Sequence, residues 1–313
     1  MRWGPFAVAV VLILTLSGCD RAALFGRFAA KTAGQLGSTP RKLPRKIADP
    51  RRPDARVAVT WVGHATMLVQ IDDAYVLTDP VFTDAVGGLS VRLVEPGLDI
   101  ASLPRLSAVV ISHLHFDHLS AASLELLRDK VERVYVPTGG SDYVPASVSA
   151  VTELSTFEAD TRQGLTVTAV PVDHVGFRYG ADEAWMTKSF TGYVLQKNGL
   201  TVYFAGDTAY APDRFRATRQ RFPSIDLALL PIAPIHPRDF MRRTHLDPAE
   251  ALLAFDDLGA KVCVPMHFDT FVNSTDAPGE ARERFAALAA ARPPGKARVT
   301  ILPIGGQAVI VSR

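Results

Sequence analysis

Residues 112–120 read SHLHFDHLS, and they hold three of the chain's eight histidines. His113, His115, Asp117 and His118 follow the apolar run LSAVVI (106–111) and precede AASLELLRDK (121–130), a helix-like pattern. A core histidine satisfied by local partners is common, but three at one strand end need three separate sets of partners. Metal ligation accounts for the residue types directly, because imidazole and carboxylate are usual ligands of zinc and similar ions. His113 and His115 alternate, so a strand end can send both rings to one side. Asp117 and His118, adjacent on the turn, are free to aim elsewhere, which suits two neighbouring ions better than one.

Outward from this stretch, other apolar segments end in the same residue types. VPVDHVG (170–176) contains His174, YFAGDTAY (203–210) contains Asp207, and VPMHFDTF (264–271) contains His267. Each alone reads as an ordinary residue at a strand end. Together with the first four they make seven donors, enough for two ions sharing one carboxylate. Gly206, just before Asp207, permits close backbone approach.

Strand-like segments recur from Arg56 onward, beginning with RVAVTWVG (56–63), TMLVQID (66–72) and AYVLTDPV (74–81). Helical patterns at 120–130, 211–221, 247–258 and 279–292 lie between strands, with Asp247 placed as a cap and Pro248 in the first turn. Strands with interleaved helices mean a layered α/β or α+β fold. The hairpins are too many for a plain doubly wound sheet. There is no internal repeat at fixed period.

The chain has 313 residues, 48% of them hydrophobic, so it can bury a sizeable core. A net charge of +2 conceals +7 over residues 20–56 and −6 over residues 57–313. The acidic balance of the larger part argues against a nucleic-acid groove. The N-terminus reads as export: Arg2 precedes FAVAVVLILTL (6–16), which is short of the roughly 20 residues a membrane span takes and right for a signal-peptide core. LSGC (16–19) resembles a bacterial lipobox, with residues 1–18 removed and Cys19 lipidated. An ordinary signal peptide with a chance cysteine is the alternative. Residues 19–55, basic and rich in Pro and Gly, are expected to form a flexible tether, either solvated or drawn to anionic headgroups. Residues 56–313 are the expected folded domain, starting where the strand pattern begins. The expected location is the bacterial cell envelope, lipid-anchored on the periplasmic side of a membrane. Two cysteines exclude a disulfide framework, and Cys263, in KVCVPMH, reads as an inert buried hydrophobe.

H-x-H-x-D-H followed by His, then GDT, then His resembles the metallo-β-lactamase superfamily. WVGHATMLVQIDDAYVLTDPVF (61–82), FAGDTAY (204–210), PRDFMRRTHLDPAEA (237–251) and PMHFDTF (265–271) extend the likeness over about 210 residues. They are similar to the branch that includes N-acyl-phosphatidylethanolamine-hydrolysing phospholipase D and the ascorbate-6-phosphate lactonase-like hydrolases. The resemblance implies an αββα sandwich with a dinuclear site on one rim. It implies His113, His115 and His174 on one ion, Asp117, His118 and His267 on the second, and Asp207 bridging them. Two divalent ions are expected, zinc by default, with manganese or iron also fitting the donors. Asp79 matches a position that supports the ligand histidines, although before Pro80 it reads equally as a turn residue. His64 and His245 match positions close to the site. His245 suits a phosphate contact or proton donor, and for His64 structural hydrogen bonding is the rival role.

The implied activity is phosphodiester hydrolysis of phospholipase D type on a phospholipid or another lipid-like small molecule, with Asp117, Asp207, His245 and His64 around the reacting atoms. No G-x-S-x-G nucleophile motif is present. A lactonase, a phosphomonoesterase and a non-catalytic metal-binding envelope lipoprotein are the rivals. Val175, Gly176 and Ile235 depart from the branch's pattern where the substrate pocket should lie.

Overall fold

The computed structural model describes residues 37–313 with Ala30, Gly34 and Gln35, apart from 88–89, 180–181, 183–187, 273 and 294–296. The proposed signal sequence and Cys19 lie outside the described residues.

The strands in chain order are β1 (Ala55–Gly63), β2 (Thr66–Ile71), β3 (Ala74–Thr78), β4 (Ala85–Val86), β5 (Ser90–Val91), β6 (Ala108–Val110), β7 (Val134–Pro137) and β8 (Val151–Leu154). Then follow β9 (Ala159–Arg162), β10 (Leu165–Val170), β11 (Gly192–Lys197), β12 (Leu200–Phe204), β13 (Leu227–Pro231), β14 (Val262–Met266), β15 (Arg298–Val299) and β16 (Gln307–Ser312). They build two seven-stranded sheets, β16-β1-β2-β3-β6-β7-β8 and β15-β14-β13-β12-β11-β10-β9, with β4 and β5 as a small ribbon. Both sheets follow one plan. Three antiparallel pairings lead through β16, β1, β2 and β3, and three parallel ones continue to β8. In the other sheet three antiparallel pairings lead from β9 to β12, and three parallel ones continue to β15.

The period of two places the layers. In β6, Ala108 and Val110 join the core between the sheets, whereas the neighbouring Val109 and Ile111 join a second core with Leu124 and Leu127 of helix Ala121–Leu127. On the far side, Phe215, Phe255 and Phe285 of helices Pro212–Arg221, Pro248–Leu258 and Glu280–Ala290 belong to the main core. The result is an αββα sandwich, as expected. Ser120, last of the quoted stretch, caps the first of these helices by accepting from Ser123 N–H.

The expected tether is shorter than its sequence suggests. From Arg41 the described part lies on the domain: Arg41 bridges to Val94, and Leu43 N–H donates to Glu95 at 2.8 Å. Lys42 and Lys46 both reach the Glu95 carboxylate at 3.0 Å. Burial alone would raise the Glu95 pKa, but the Leu43 N–H and the two ammonium groups draw it down to about 2. A buried carboxylate needs such partners, and the basic residues of the stretch supply them.

Candidate metal centre

One rim of the sandwich collects the sequence-selected residues. Asp79 follows β3, His113–His118 follow β6, His174 follows β10, Asp207 follows β12 and His267 follows β14. His64 sits in the turn between β1 and β2. Gly206 is essential to this convergence: at φ +61° it lies so close to Ser112 that an added Cβ would stand 2.3 Å from the serine Cβ. His64, Asp79 and His267 hold left-handed backbone at φ 54°, 34° and 68°. For non-glycine residues such strain costs about 1–3 kcal/mol each, and it gathers where function demands a fixed geometry.

His113, His115 and His174 form one donor group, and His64, Asp117, His118 and His267 another. Asp207 lies between them. Its Oδ2 is 3.3 Å from His118 Nε2 and 3.1 Å from His267 Nε2, and the residue also groups with His174 and His245. His245 Nε2 approaches the same oxygen at 3.3 Å.

Hydrogen bonds behind the rings fix which nitrogen faces inward. His174 Nδ1 donates to Thr244 O and His267 Nδ1 to Ala233 O; carbonyls only accept, so Nε2 of each carries the lone pair. His118 Nδ1 donates to Asp79 Oδ2 at 2.6 Å. Ser112 gives its hydroxyl proton to Asp79 Oδ2 at 2.6 Å and its amide N–H to Asp79 Oδ1 at 2.7 Å. The serine oxygen then accepts from His113 Nδ1 at 2.9 Å. Asp79 therefore supports two histidines, one directly and one through Ser112. His64 Nε2 bonds Asp117 Oδ2 at 2.9 Å, and its backbone N–H donates to Thr270 Oγ1.

These residues fit a metal. Among the described residues, the buried His174 Nε2 and Asp207 Oδ1 have no hydrogen-bond partner, and such orphaned polar atoms are costly unless something binds them. His118 Nε2 and His267 Nε2 stand 3.2 Å apart with both Nδ1 atoms already donating outward. Two lone pairs at that distance repel until a cation or proton lies between them.

The electrostatics agree. Burial would lower the His118 pKa, but Asp207, Asp117 and Asp79 raise it well above the usual imidazole range. The surroundings thus favour positive charge at this point. Burial would raise Asp117 and Asp207, yet His118 and His267 respectively lead the neighbours that hold both well below the carboxylate range. Burial pushes His113 and His174 well down, His115 to about 4 and His64 to about 3. Neutral imidazoles are the form that ligates.

All seven expected donors are brought together, with Asp79, His64 and His245 beside them. Sequence reasoning passed over Ser112, Thr244, Ala233 and Thr270. Ser112 had a signal, since it opens the quoted stretch; the carbonyls of Thr244 and Ala233 have none. Arg242 and Arg243, near His245 in sequence, are exposed. A cavity of about 610 Å³ opens at the opposite rim, but its Arg105 and Lys197 are already paired with Glu132 and Asp73, and its Arg162 with Asp160. Cys263 is buried and unpaired, its thiol pKa raised by burial.

Fold and donor set define a class: a metal-dependent hydrolase of metallo-β-lactamase architecture. The family model described as "Beta-lactamase superfamily domain" matches residues 74–268. The chain belongs to that superfamily. It is 28% identical to N-acyl-phosphatidylethanolamine-hydrolyzing phospholipase D 1 of Caenorhabditis elegans, over 78% of this chain and 73% of that protein. It is 30% identical to a UPF0173 metal-dependent hydrolase of Anaeromyxobacter sp. (strain K), over 82% of this chain and 88% of that one. Among solved structures, a metallo hydrolase from the archaeon Ignicoccus hospitalis shares the fold at TM-score 0.60 and 22% identity, over 80% of this chain and 97% of that chain.

Proposed function

We propose that the chain is a dinuclear phosphoric diester hydrolase of phospholipase D type that acts on a lipid or lipid-like substrate. The observation that carries this reading is the placement of Asp207 between two donor groups, one oxygen engaged and the other buried and orphaned. His113, His115 and His174 would hold one ion, Asp117, His118 and His267 the other, and Asp207 both. Bound there, two divalent ions, zinc by preference, would supply Lewis acidity and would lower the pKa of water toward neutral pH. The chain's own part is orientation and proton handling. Asp117 and Asp207, both kept as carboxylates, accept hydrogen bonds from the attacking water and aim it. His245 keeps 16% of its side chain exposed, so it faces incoming substrate. It hydrogen-bonds a non-bridging phosphate oxygen or gives a proton to the leaving alkoxide. His64, buried against Asp117, holds that carboxylate in place.

The lipid preference draws on the likeness to the phospholipase D relative and on the proposed anchor at Cys19, which would hold the enzyme at the envelope membrane. The test is metal analysis of the full-length chain in detergent, with turnover on phosphodiesters, phosphomonoesters and lactones. The expected result is close to two ions per chain and hydrolysis of diesters first. Lactone opening alone would transfer the site to the rival activity, and a loaded protein without turnover would make it a metal-binding lipoprotein. A Cys19→Ser chain that still partitions into membranes after normal cleavage would remove the anchor from the reading.

A further inference from the structure

Two loops deliver the imidazoles of the first donor group, and one side chain ties them together. Arg178 lies four residues beyond His174. Its Nη1 donates to the carbonyl oxygen of Leu114 at 2.7 Å and to that of Leu119 at 2.8 Å. Those two carbonyls bracket the turn that bears His115, Asp117 and His118. Among the described residues no other donor reaches either carbonyl. The guanidinium also lies 4.0 Å from the centre of the Phe116 ring, in the middle of the same turn, a cation–π contact. The arginine is itself held: Asp182, almost fully buried, accepts from Arg178 N–H at 3.0 Å and Tyr179 N–H at 2.7 Å. Nothing in the proposed chemistry uses this cation, and it touches no donor atom.

We propose that Arg178 is a positioning residue for the metal centre: it pins both ends of the 114–119 turn to the His174 loop, and so fixes the spacing of donors that come from two separate loops. This rests on reading the rim as a metal centre. A guanidinium suits the task because its planar fork can reach the carbonyls while its face covers an aromatic ring. Lysine lacks the plane and is shorter by about one atom.

The test compares wild type, Arg178→Met and Arg178→Lys as full-length chains in detergent, loaded with zinc and titrated with a competing chelator. Zinc retained per folded chain is measured, along with the melting temperature of the stripped protein. Methionine keeps bulk over Phe116 but leaves both carbonyls without their donor. Its zinc affinity should fall by roughly 10–100-fold, the usual effect of losing support behind a ligand, with lysine in between. Wild-type retention in Arg178→Met overturns the proposal. So does a lowered melting temperature with zinc affinity unchanged, the mark of a merely structural role. If the methionine variant does not fold, the lysine variant decides, and wild-type affinity there overturns the proposal. A wild type that takes up no zinc is a separate outcome: it removes the metal reading, and this inference with it.

Discussion

The two sheets share one plan of pairings, and in each the strand where antiparallel pairing turns parallel is followed by an aspartate at the functional rim. After β3 it is Asp79, and after β12 it is Asp207. Both are buried, but their oxygens are spent differently. Asp79 receives Ser112 N–H, Ser112 O–H and His118 Nδ1–H, so both of its oxygens are satisfied by protein. Asp207 gathers three imidazoles about Oδ2 and, among the described residues, leaves Oδ1 without a partner. A satisfied carboxylate organises its neighbours, whereas one with an orphaned oxygen is prepared to bind. On the proposed reading, equivalent positions in two sheets would divide the work of a metal centre into support and ligation.

The harshest way to break that division is Asp207→Ala. It should release at least one ion and lower turnover by roughly 10⁴-fold or more, in the range seen when a central catalytic group is removed. Full metal content and activity in the variant would end the bridging assignment. His245 touches the same carboxylate, and His245→Ala should keep both ions while losing about 10²–10⁴-fold in kcat. The loss should shrink for a nitrophenyl ester, whose leaving group needs no proton. An equal loss on good and poor leaving groups would indicate phosphate binding. Loss of an ion would place His245 with His174 and Asp207 as a ligand, which their grouping in space permits.

Asp79→Asn tests the other side of the comparison. The amide keeps the size and one acceptor but loses the charge that holds His118 Nδ1–H and so orients the ring. Metal affinity should fall about 10–100-fold. The larger part should come from the ion held with His118, because His113 is reached only through Ser112. Equal weakening of both ions, measured by chelator competition, would mean that the serine relay is as strong as the direct bond. Retention as poor as in Asp207→Ala would erase the distinction between the two aspartates.

What was legible in the sequence has a common physical cause. His113, His174, Asp207 and His267 stand just past apolar strands, and a strand's direction carries its last residues to one rim whatever the rest of the fold. The shared plan of the sheets was not legible, because pairing is backbone chemistry between strands of unequal length whose side chains do not repeat. The partners of His174 and His267 were invisible for a related reason: Thr244 and Ala233 contribute carbonyls, which every residue has. Arg178 carries no sequence signal for the same reason, since its partners are carbonyls too. The composition of the stretch from Arg41 predicts a tether, either solvated or drawn to anionic headgroups, and gives no sign of Glu95, far along the chain and buried, against which its lysines dock.

The smallest effect expected concerns Asp247, two residues from His245. Its Oδ1 accepts from Ala249 N–H and Glu250 N–H at 2.9 Å, capping helix Pro248–Leu258 as the sequence predicts. Arg238 binds it to the site's edge: Nε is 3.4 Å from Asp247 Oδ2, and Nη2 donates to the His245 carbonyl at 3.1 Å. Removing the cap in Asp247→Ala should cost about 1 kcal/mol of stability, a fall in Tm of roughly 2–4 °C. Asp247→Asn should recover most of it, since the amide oxygen still caps. Neither variant touches the donors around Asp79 or Asp207, so metal content should stay at the wild-type value. Turnover should drop less than tenfold, because the His245 backbone keeps its anchor on Arg238. If Asp247→Ala instead loses as much kcat as His245→Ala while its Tm is unmoved, the cap acts on chemistry rather than on the helix. Asp247 would then join Asp79 as a second carboxylate that works by holding a histidine in place.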